Sequence, residues 1–389
     1  MSRTADSAHP SPAPSRAPSP GGPADASGEA PVLVSRDGRV GRIRLNRPRA
    51  LNALDHAMVR LIAQALEDWE RDERVAAVVV SGAGGRGLCA GGDIRGIHED
   101  VRRGGGRESE AFWADEYRLN ARIARYPKPY VALMDGVVMG GGVGISAHGS
   151  VRVVTERARV AMPETGIGFV PDVGGTWLLS RAPGELGTHL ALTAAPVGAG
   201  DALLCGLADH HVPAAALDSF AEALADHTPA EALARFAAPA PEAELARRRG
   251  WIDTCYAGGD VAGILDRLRD HGRRGAEYAK SAAEAEAAEA ADSAAELIES
   301  RSPTALKVTL AALRRARRLP RLEEALDQEY RTSLATLHSH DFTEGVRAQI
   351  IDKDRSPRWS PAALAEVTER EVERHFAPLG ARELGLGAG

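Results

Sequence analysis

The chain has few of the features that mark secreted, membrane-spanning or nucleic-acid-binding proteins. Its 389 residues include three cysteines, Cys89, Cys205 and Cys255, whose spacing fits neither a disulfide framework nor a zinc site. A net charge of -6 predicts no nucleic-acid partner, which would require a basic patch. No apolar run reaches the roughly eighteen residues that a membrane span needs, so no membrane partner is expected. These absences predict a cytoplasmic protein.

The composition divides the chain into three predicted parts. Residues 1–30 are rich in Ser, Pro, Ala and Gly and are predicted to form a disordered tail. Residues 31–213 alternate apolar runs, glycine-rich loops and helical patterns, which is typical of an α/β core. Residues 214–389 lose the strand-like runs and carry alanine-rich, charged patterns, above all at 282–300, so we expect a helical C-terminal region.

Strand and helix signals recur along the predicted core. Residues 31–46 contain two apolar runs around a polar Arg-Asp-Gly turn, which predicts a hairpin. After Asp55, apolar side chains repeat on one face of a helix of about five turns. Residues 76–80 and 130–134 are short and continuously apolar, as in strands that are buried on both faces, and residues 151–154 predict another strand.

The stretch 129–177 holds the groups that stabilise a developing oxyanion. An apolar strand leads to the glycines at 140–142, where a short helix begins, and the amides at a helix start suit an anion. Residues 81–97 are so rich in glycine that we expect a loop up to Asp93, and its CAGGD segment offers a second set of amides near Ala90. Glu164 and Asp172 follow on an irregular loop. Their spacing does not establish that the two acids meet, and a loop or helix cap remains the alternative for each.

Other chemistries fit these residues less well. Gly142-x-Gly144-x-x-Ala147 matches a dinucleotide fingerprint, but five residues separate the preceding strand from the glycines and the acid follows too late. Tight backbone packing without a ligand is a further alternative for the glycines. Cys89 lacks a nucleophile's histidine signature, no G-x-S-x-G motif occurs, and the histidines lack metal-site spacing. We therefore expect neither a cofactor nor a metal.

Several motifs together resemble one known superfamily. LNRPRALNAL, CAGGDI and the GGG helix start are similar to the crotonase (enoyl-CoA hydratase/isomerase) pattern. VVTE, MPETGIGFVPDVGG, SPTALKVTL, EYR and HDFTEGVRAQIIDKDRSPRWSP resemble the 3-hydroxyisobutyryl-CoA hydrolases within it. The resemblance covers residues 32–376 and implies an α/β fold, a crotonase-like spiral of ββα units with a helical C-terminal region.

The resemblance also implies roles for individual residues. The backbone N–H groups of Ala90 and Gly141 would form the oxyanion hole for the thioester carbonyl. Glu164 would be the catalytic glutamate and Asp172 the hydrolase aspartate, while Glu116 would contact the substrate. The phosphates of coenzyme A need cations near the site, and four arginines in neighbouring loops are candidates: Arg47, Arg49, Arg86 and Arg95.

One position bears on the type of reaction. Hydratases of the superfamily carry a second glutamate where this chain has Gly144, and adding water across a C=C bond needs two carboxyl groups. Thioester hydrolysis needs only an oxyanion hole and one nucleophile or base. The resemblance thus favours hydrolysis of 3-hydroxyisobutyryl-CoA, a step of valine catabolism.

The alternatives concern both mechanism and function. Glu164 would act either as nucleophile or as general base. The partner would be a small-molecule acyl-CoA substrate, and a homo-oligomer is compatible with the sequence. An enoyl-CoA hydratase or isomerase and a non-catalytic acyl-CoA-binding protein remain alternatives.

Overall fold

The computed structural model describes residues 30–388, so the predicted tail lies outside the described residues except for Ala30. The strands are short and all but the last precede residue 162. In chain order they are β1 (Val32–Asp37), β2 (Val40–Leu45), β3 (Ala77–Gly82), β4 (Gly87–Cys89), β5 (Tyr130–Met134), β6 (Val137–Met139), β7 (Val151–Val154), β8 (Arg159–Ala161) and β9 (His210–His211).

The strands form two sheets that the chain visits in turn. The larger sheet has the order β1-β2-β3-β5-β7-β9 and the smaller sheet has the order β4-β6-β8. Only β1 and β2 pair antiparallel, as the predicted hairpin, and the other neighbours in both sheets are parallel. Each turn of the chain adds one strand to each sheet and returns through helical segments, which is the expected spiral of ββα units.

Helices connect and cover these sheets. Those that precede residue 213 are α1 (His56–Glu70), α2 (Ile94–Gly104), α3 (Arg107–Ala124), α4 (Gly141–Gly144), α5 (Gly175–Ser180), α6 (Leu186–Thr193) and α7 (Ala199–Leu204). The helices of the C-terminal region are α8 (Leu217–Ala223), α9 (Pro229–Phe236), α10 (Glu244–Cys255), α11 (Val261–Tyr278), α12 (Ala282–Glu299), α13 (Pro303–Ala316), α14 (Leu322–Thr336), α15 (His340–Val346) and α16 (Glu369–Arg374). None of the described helices is long and apolar enough to cross a bilayer.

Local sequence explains where several of these elements begin. The Asp55 side chain accepts a hydrogen bond from the Met58 amide and caps α1, whose apolar face is buried. The glycine-rich stretch that was expected to be loop up to Asp93 contains β4. A Cβ at Gly87 would lie 2.5 Å from the Val137 backbone nitrogen, so glycine is what permits the close approach of β4 to β6.

The C-terminal helices share one hydrophobic core with the sheets. Phe169, in the loop that carries both candidate acids, packs against Trp113 of α3 and Phe342 of α15, with ring centroids 5.2 and 5.3 Å apart. All three rings are buried. The architecture confirms the predicted fold class, and the C-terminal region contributes Arg301, Gln349 and Ile350 to the wall of the candidate site.

Candidate active site

The candidate site is a cavity of about 360 Å³ that the α/β core encloses together with three residues of the C-terminal region. The loop before α2, the start of α4, the loop from Pro163 to Val173 and one face of α3 line it, together with Arg301, Gln349 and Ile350 from the C-terminal region. The predicted residues Ala90, Glu116, Gly141, Glu164 and Asp172 all lie in its wall. The structure therefore brings together groups that are up to 82 residues apart in sequence.

Glu164 begins a short 3₁₀ turn, Glu164–Ile167, directly after Pro163. Its side chain is buried, with 6% of the residue exposed, and its Oε2 atom has no hydrogen-bond partner among the described residues. Oε1 lies 2.9 Å from the position of a Cβ on Gly140. Burial, and then the nearby Asp172, raise the pKa of Glu164 well above its usual value. A desolvated carboxylate without a partner is a reactive base or nucleophile.

Asp172 is held by hydrogen bonds from distant elements. Its Oδ2 accepts from the Tyr117 hydroxyl at 2.7 Å, and that hydroxyl lies 2.7 Å from the Ser333 Oγ of α14. Burial raises the pKa of Asp172 to about 7, although the Tyr117 hydrogen bond opposes the shift. The alternative role of Asp172 as an N-cap is wrong, because α5 begins after Gly174 and no Asp172 side-chain atom caps it.

Glu116 supplies a third carboxyl group to the cavity. It lies on α3 with 2% of its surface exposed, and its Oε1 atom has no hydrogen-bond partner among residues 30–388. That atom would be 2.7 Å from a Cβ at Gly141. Burial, and then Asp172, raise the pKa of Glu116 well above its usual value. Ionisation of Asp172 therefore disfavours ionisation of both Glu116 and Glu164.

Two backbone N–H groups are available to an anion in this cavity. Gly141 is the first residue of α4, so its N–H has no acceptor within the helix. The Gly92 N–H donates to no acceptor in the described chain, and the Gly92 nitrogen lies 3.3 Å from a Cβ position on Gly141. These two amides lie close to one another and to the Glu116 side chain.

The prediction that Ala90 is an oxyanion donor has to be corrected. Its N–H donates to the Leu51 carbonyl at 3.0 Å, so it is not free for a ligand. Gly91, at a φ of +114°, turns the backbone between Ala90 and Gly92, and the free amide is two residues later than expected. The motif selects this loop but does not determine the direction of its N–H groups.

Gly144 faces a space that other side chains already fill. A Cβ there would lie 2.7 Å from the Val173 Cβ and 2.9 Å from the Asn120 Nδ2, well inside contact distance. Val173 has a φ of +52°, which is costly for a β-branched residue and directs it against Gly144. A carboxylate at position 144 therefore does not fit this site.

Glu329 of α14 fixes the backbone that follows Asp172, and the sequence assigned it no role although it begins the motif EYR. It is fully buried and accepts hydrogen bonds from the Gly174 amide at 2.6 Å, the Thr176 amide at 2.8 Å and the Thr176 hydroxyl at 2.5 Å. Burial raises its pKa to about 8. One turn later, Ser333 contacts the Tyr117 hydroxyl that donates to Asp172, so α14 supports the Asp172 loop both directly and through Tyr117.

Replacing Glu329 by Gln should therefore lower kcat by about 10- to 100-fold, a range typical of small misplacements. The Gln amide nitrogen cannot accept a hydrogen bond from the Gly174 N–H. Two donors would therefore face each other at the position of one carboxylate oxygen. The kcat and KM of the variant test this, with Glu323→Gln as control. Glu323 is on the same helix but pairs with Arg125 at 2.9 Å. Equal losses in both variants would contradict a specific role for Glu329.

Asp172→Asn should make the protein more stable at pH 8 by up to about 4 kcal/mol. The folded pKa of about 7 exceeds the usual aspartate value of 3.8, so protonation stabilises the fold fully below about pH 4, and this contribution is lost as pH rises through 7. Asn carries no charge and its oxygen still accepts from Tyr117. Chemical unfolding at pH 5 and pH 8 checks this, and an equal difference at both values would contradict it.

The four arginines proposed for phosphate binding are mostly engaged within the protein. Arg47 donates to the Ala53 carbonyl and to Asp93 at 2.7 and 3.0 Å, and Arg86 donates to the Pro48 carbonyl. Arg95 donates to the carbonyl of Ile350, which lines the cavity. Within residues 30–388, no three His, Cys, Asp or Glu side chains are grouped to hold a metal ion.

Known proteins resemble this chain over most of its length. The family model described as enoyl-CoA hydratase/isomerase matches residues 40–376. The 3-hydroxyisobutyryl-CoA hydrolase, mitochondrial, of Danio rerio is 41% identical and covers 91% of both chains, and the human protein of that name is 39% identical, covering 91% of this chain and 90% of its own.

Two solved structures are also similar. A carnitinyl-CoA dehydratase from Mycobacterium thermoresistibile has 52% identity and a TM-score of 0.85, with 93% of this chain and 100% of that chain covered. An enoyl-CoA hydratase from Rhodobacter sphaeroides has 43% identity and a TM-score of 0.82, with 91% and 99% covered.

The relatives correct one expectation and establish the family. The prediction of a cytoplasmic location is wrong, because the similar hydrolases are named as mitochondrial proteins. The motif resemblance, in contrast, is confirmed over nearly the whole described chain. The chain belongs to the enoyl-CoA hydratase/isomerase family, the crotonase superfamily.

Proposed function

We propose that the protein hydrolyses 3-hydroxyisobutyryl-CoA to 3-hydroxyisobutyrate and coenzyme A, as a step of valine catabolism. The observation that carries the proposal is the composition of the cavity. It combines two free amides with the carboxyl groups of Glu116, Glu164 and Asp172, and position 144 has no room for a further acid. The relatives named as hydrolases of this thioester support the choice of substrate.

The proposed reaction begins with the thioester carbonyl oxygen between the N–H groups of Gly92 and Gly141. Each such donor contributes about 10²–10³ in rate, because it binds the oxyanion better than the ground-state carbonyl. Glu164 attacks the carbonyl carbon, the C–S bond breaks, and coenzyme A leaves as the thiol after taking up a proton. Water then cleaves the mixed anhydride, which releases the hydroxy acid and restores Glu164.

The second form of the mechanism uses the same groups with a different first step. Glu164 removes a proton from water, the hydroxide adds to the carbonyl carbon, and collapse of the intermediate expels coenzyme A. In both forms, Asp172 relays the proton to the leaving thiol or orients the acyl 3-hydroxyl. Glu116, with its unpartnered oxygen, accepts a hydrogen bond from that hydroxyl.

The solved relatives named as a hydratase and a dehydratase favour a second candidate, addition of water to or its removal from an acyl-CoA. That chemistry needs a pair of carboxyl groups that hold one water molecule. Here the second position of the pair, Gly144, is blocked by Val173 and Asn120. The hydrolase proposal is therefore the stronger one.

Thiol release from a small set of acyl-CoAs tests the proposal. Release of coenzyme A from 3-hydroxyisobutyryl-CoA is the expected result. Loss of crotonyl-CoA absorbance without thiol release would instead identify a hydratase, and binding without either reaction would identify a non-catalytic acyl-CoA-binding protein. Turnover in H₂¹⁸O distinguishes the two mechanisms, because only the anhydride route transfers label into Glu164.

A further inference from the structure

Arg301 is a partly buried cation in the wall of the catalytic cavity. Its Nε and one terminal nitrogen donate to the Thr193 carbonyl at 3.2 and 2.7 Å. Within residues 30–388 the other terminal nitrogen has no hydrogen bond, and no carboxylate lies within ion-pairing distance of the guanidinium. A desolvated charge without an ion-pair partner is costly, so the Arg301 guanidinium is available to bind an anion.

The position of this guanidinium places it near the reacting groups. Its free nitrogen would lie 3.2 Å from a Cβ at Gly166, two residues after Glu164, and glycine leaves that face open. Arg301 and Gln349 line both the cavity and an adjoining outer pocket, which also contains Arg355 and Trp359. Arg301 therefore lies where the cavity meets the outer surface.

The charges along the cavity differ in sign from one part to another. Glu116, Glu164 and Asp172 contribute three carboxyl groups, whereas Arg301 is the cation among the described lining residues. Hydrolysis converts a neutral acyl thioester and water into a carboxylate, a thiol and a proton. The carboxylate is thus formed among acids that repel it and within the same cavity as a cation that attracts it.

We propose that Arg301, with Gln349, forms an anion subsite that receives the product carboxylate as it leaves the acids. This inference rests on the proposed hydrolase function. Arg301 donates its free N–H to a carboxylate oxygen while the Thr193 carbonyl holds the rest of the guanidinium in place. The phosphates of coenzyme A are the other possible source of an anion, and the experiment separates the two.

The test compares inhibition of thioester hydrolysis by 3-hydroxyisobutyrate and by coenzyme A in three proteins: wild type, Arg301→Met and Arg355→Met. Arg355 is the control, because it lines the outer pocket but not the cavity. We expect Arg301→Met to weaken inhibition by 3-hydroxyisobutyrate about tenfold, the value of one charge-assisted hydrogen bond. Inhibition by coenzyme A should be unchanged, and Arg301→Lys should restore part of the effect.

Each other result overturns the inference. Weaker inhibition by coenzyme A in place of the hydroxy acid would assign Arg301 to a phosphate, and unchanged inhibition by both would leave it without a ligand. Equilibrium binding of 3-hydroxyisobutyrate, observed by ligand NMR, requires no turnover and covers a variant that is inactive. A wild-type protein that releases no thiol would refute the proposed function, whereas equal binding by wild type and Arg301→Met refutes only the subsite.

Discussion

Glu164→Gln is expected to lower kcat for thioester hydrolysis by at least about 10²-fold, the lower end of what a general base contributes. Gln has nearly the shape of Glu but provides neither a nucleophilic oxygen nor a proton acceptor of sufficient basicity. The loss should appear in kcat rather than KM, because Glu164 is proposed to act on the carbonyl carbon and not on coenzyme A. Thiol release under saturating substrate measures it.

The variant should fold as well as the wild type, since it removes a buried carboxyl group whose Oε2 has no hydrogen-bond partner in the described chain. Burial of the Glu164 carboxylate is energetically costly, and a neutral amide of nearly the same shape leaves the packing around Pro163 unchanged. Thermal unfolding and binding of coenzyme A provide the controls. If Glu164→Gln kept more than a small fraction of wild-type kcat, Asp172 or Glu116 would have to be the reacting acid.

The sequence predicted the buried strands well because their signal is local. Residues 130–134 match β5, since a strand buried on both faces is continuously apolar, and residues 151–154 match β7, in which Arg152 interrupts the apolar run. β4 was missed because its glycine and cysteine content resembles a loop. That strand depends on the close approach of Val137, which no pattern within residues 81–97 records.

The site was predictable only in part, for a related reason. Motif resemblance selected Glu164 and Asp172, and the structure places both in one cavity. The Tyr117 contact that holds Asp172, however, spans 55 residues, and the Glu329 contacts span more than 150. Contacts over such distances depend on tertiary packing, so no spacing in the sequence encodes them. The choice between Ala90 and Gly92 depends on one backbone dihedral at Gly91.

Gly141→Ala should lower kcat/KM by about 10²–10³-fold, the effect of losing one oxyanion donor. The added methyl group would lie 2.7 Å from Glu116 Oε1 and 3.3 Å from the Gly92 nitrogen, so it occupies the space between the two amides. The N–H of residue 141 remains, but the carbonyl oxygen can no longer reach both donors. Steady-state thiol release gives the value, and a parallel fall in the affinity for an oxyanion-mimicking inhibitor is expected.

Gly104→Ala is the matched control for this change. Gly104 is also helical, and its added Cβ would meet a carboxylate oxygen, Asp100 Oδ1, at 2.7 Å, but it lies outside the cavity wall. A loss of activity in Gly141→Ala that Gly104→Ala does not share therefore reports on the amide pair and not on crowding against an acid. Equal activity in both variants would mean that the thioester carbonyl binds elsewhere. Glu164 would then have no polarised carbonyl carbon beside it, and the assignment of both groups would fail together.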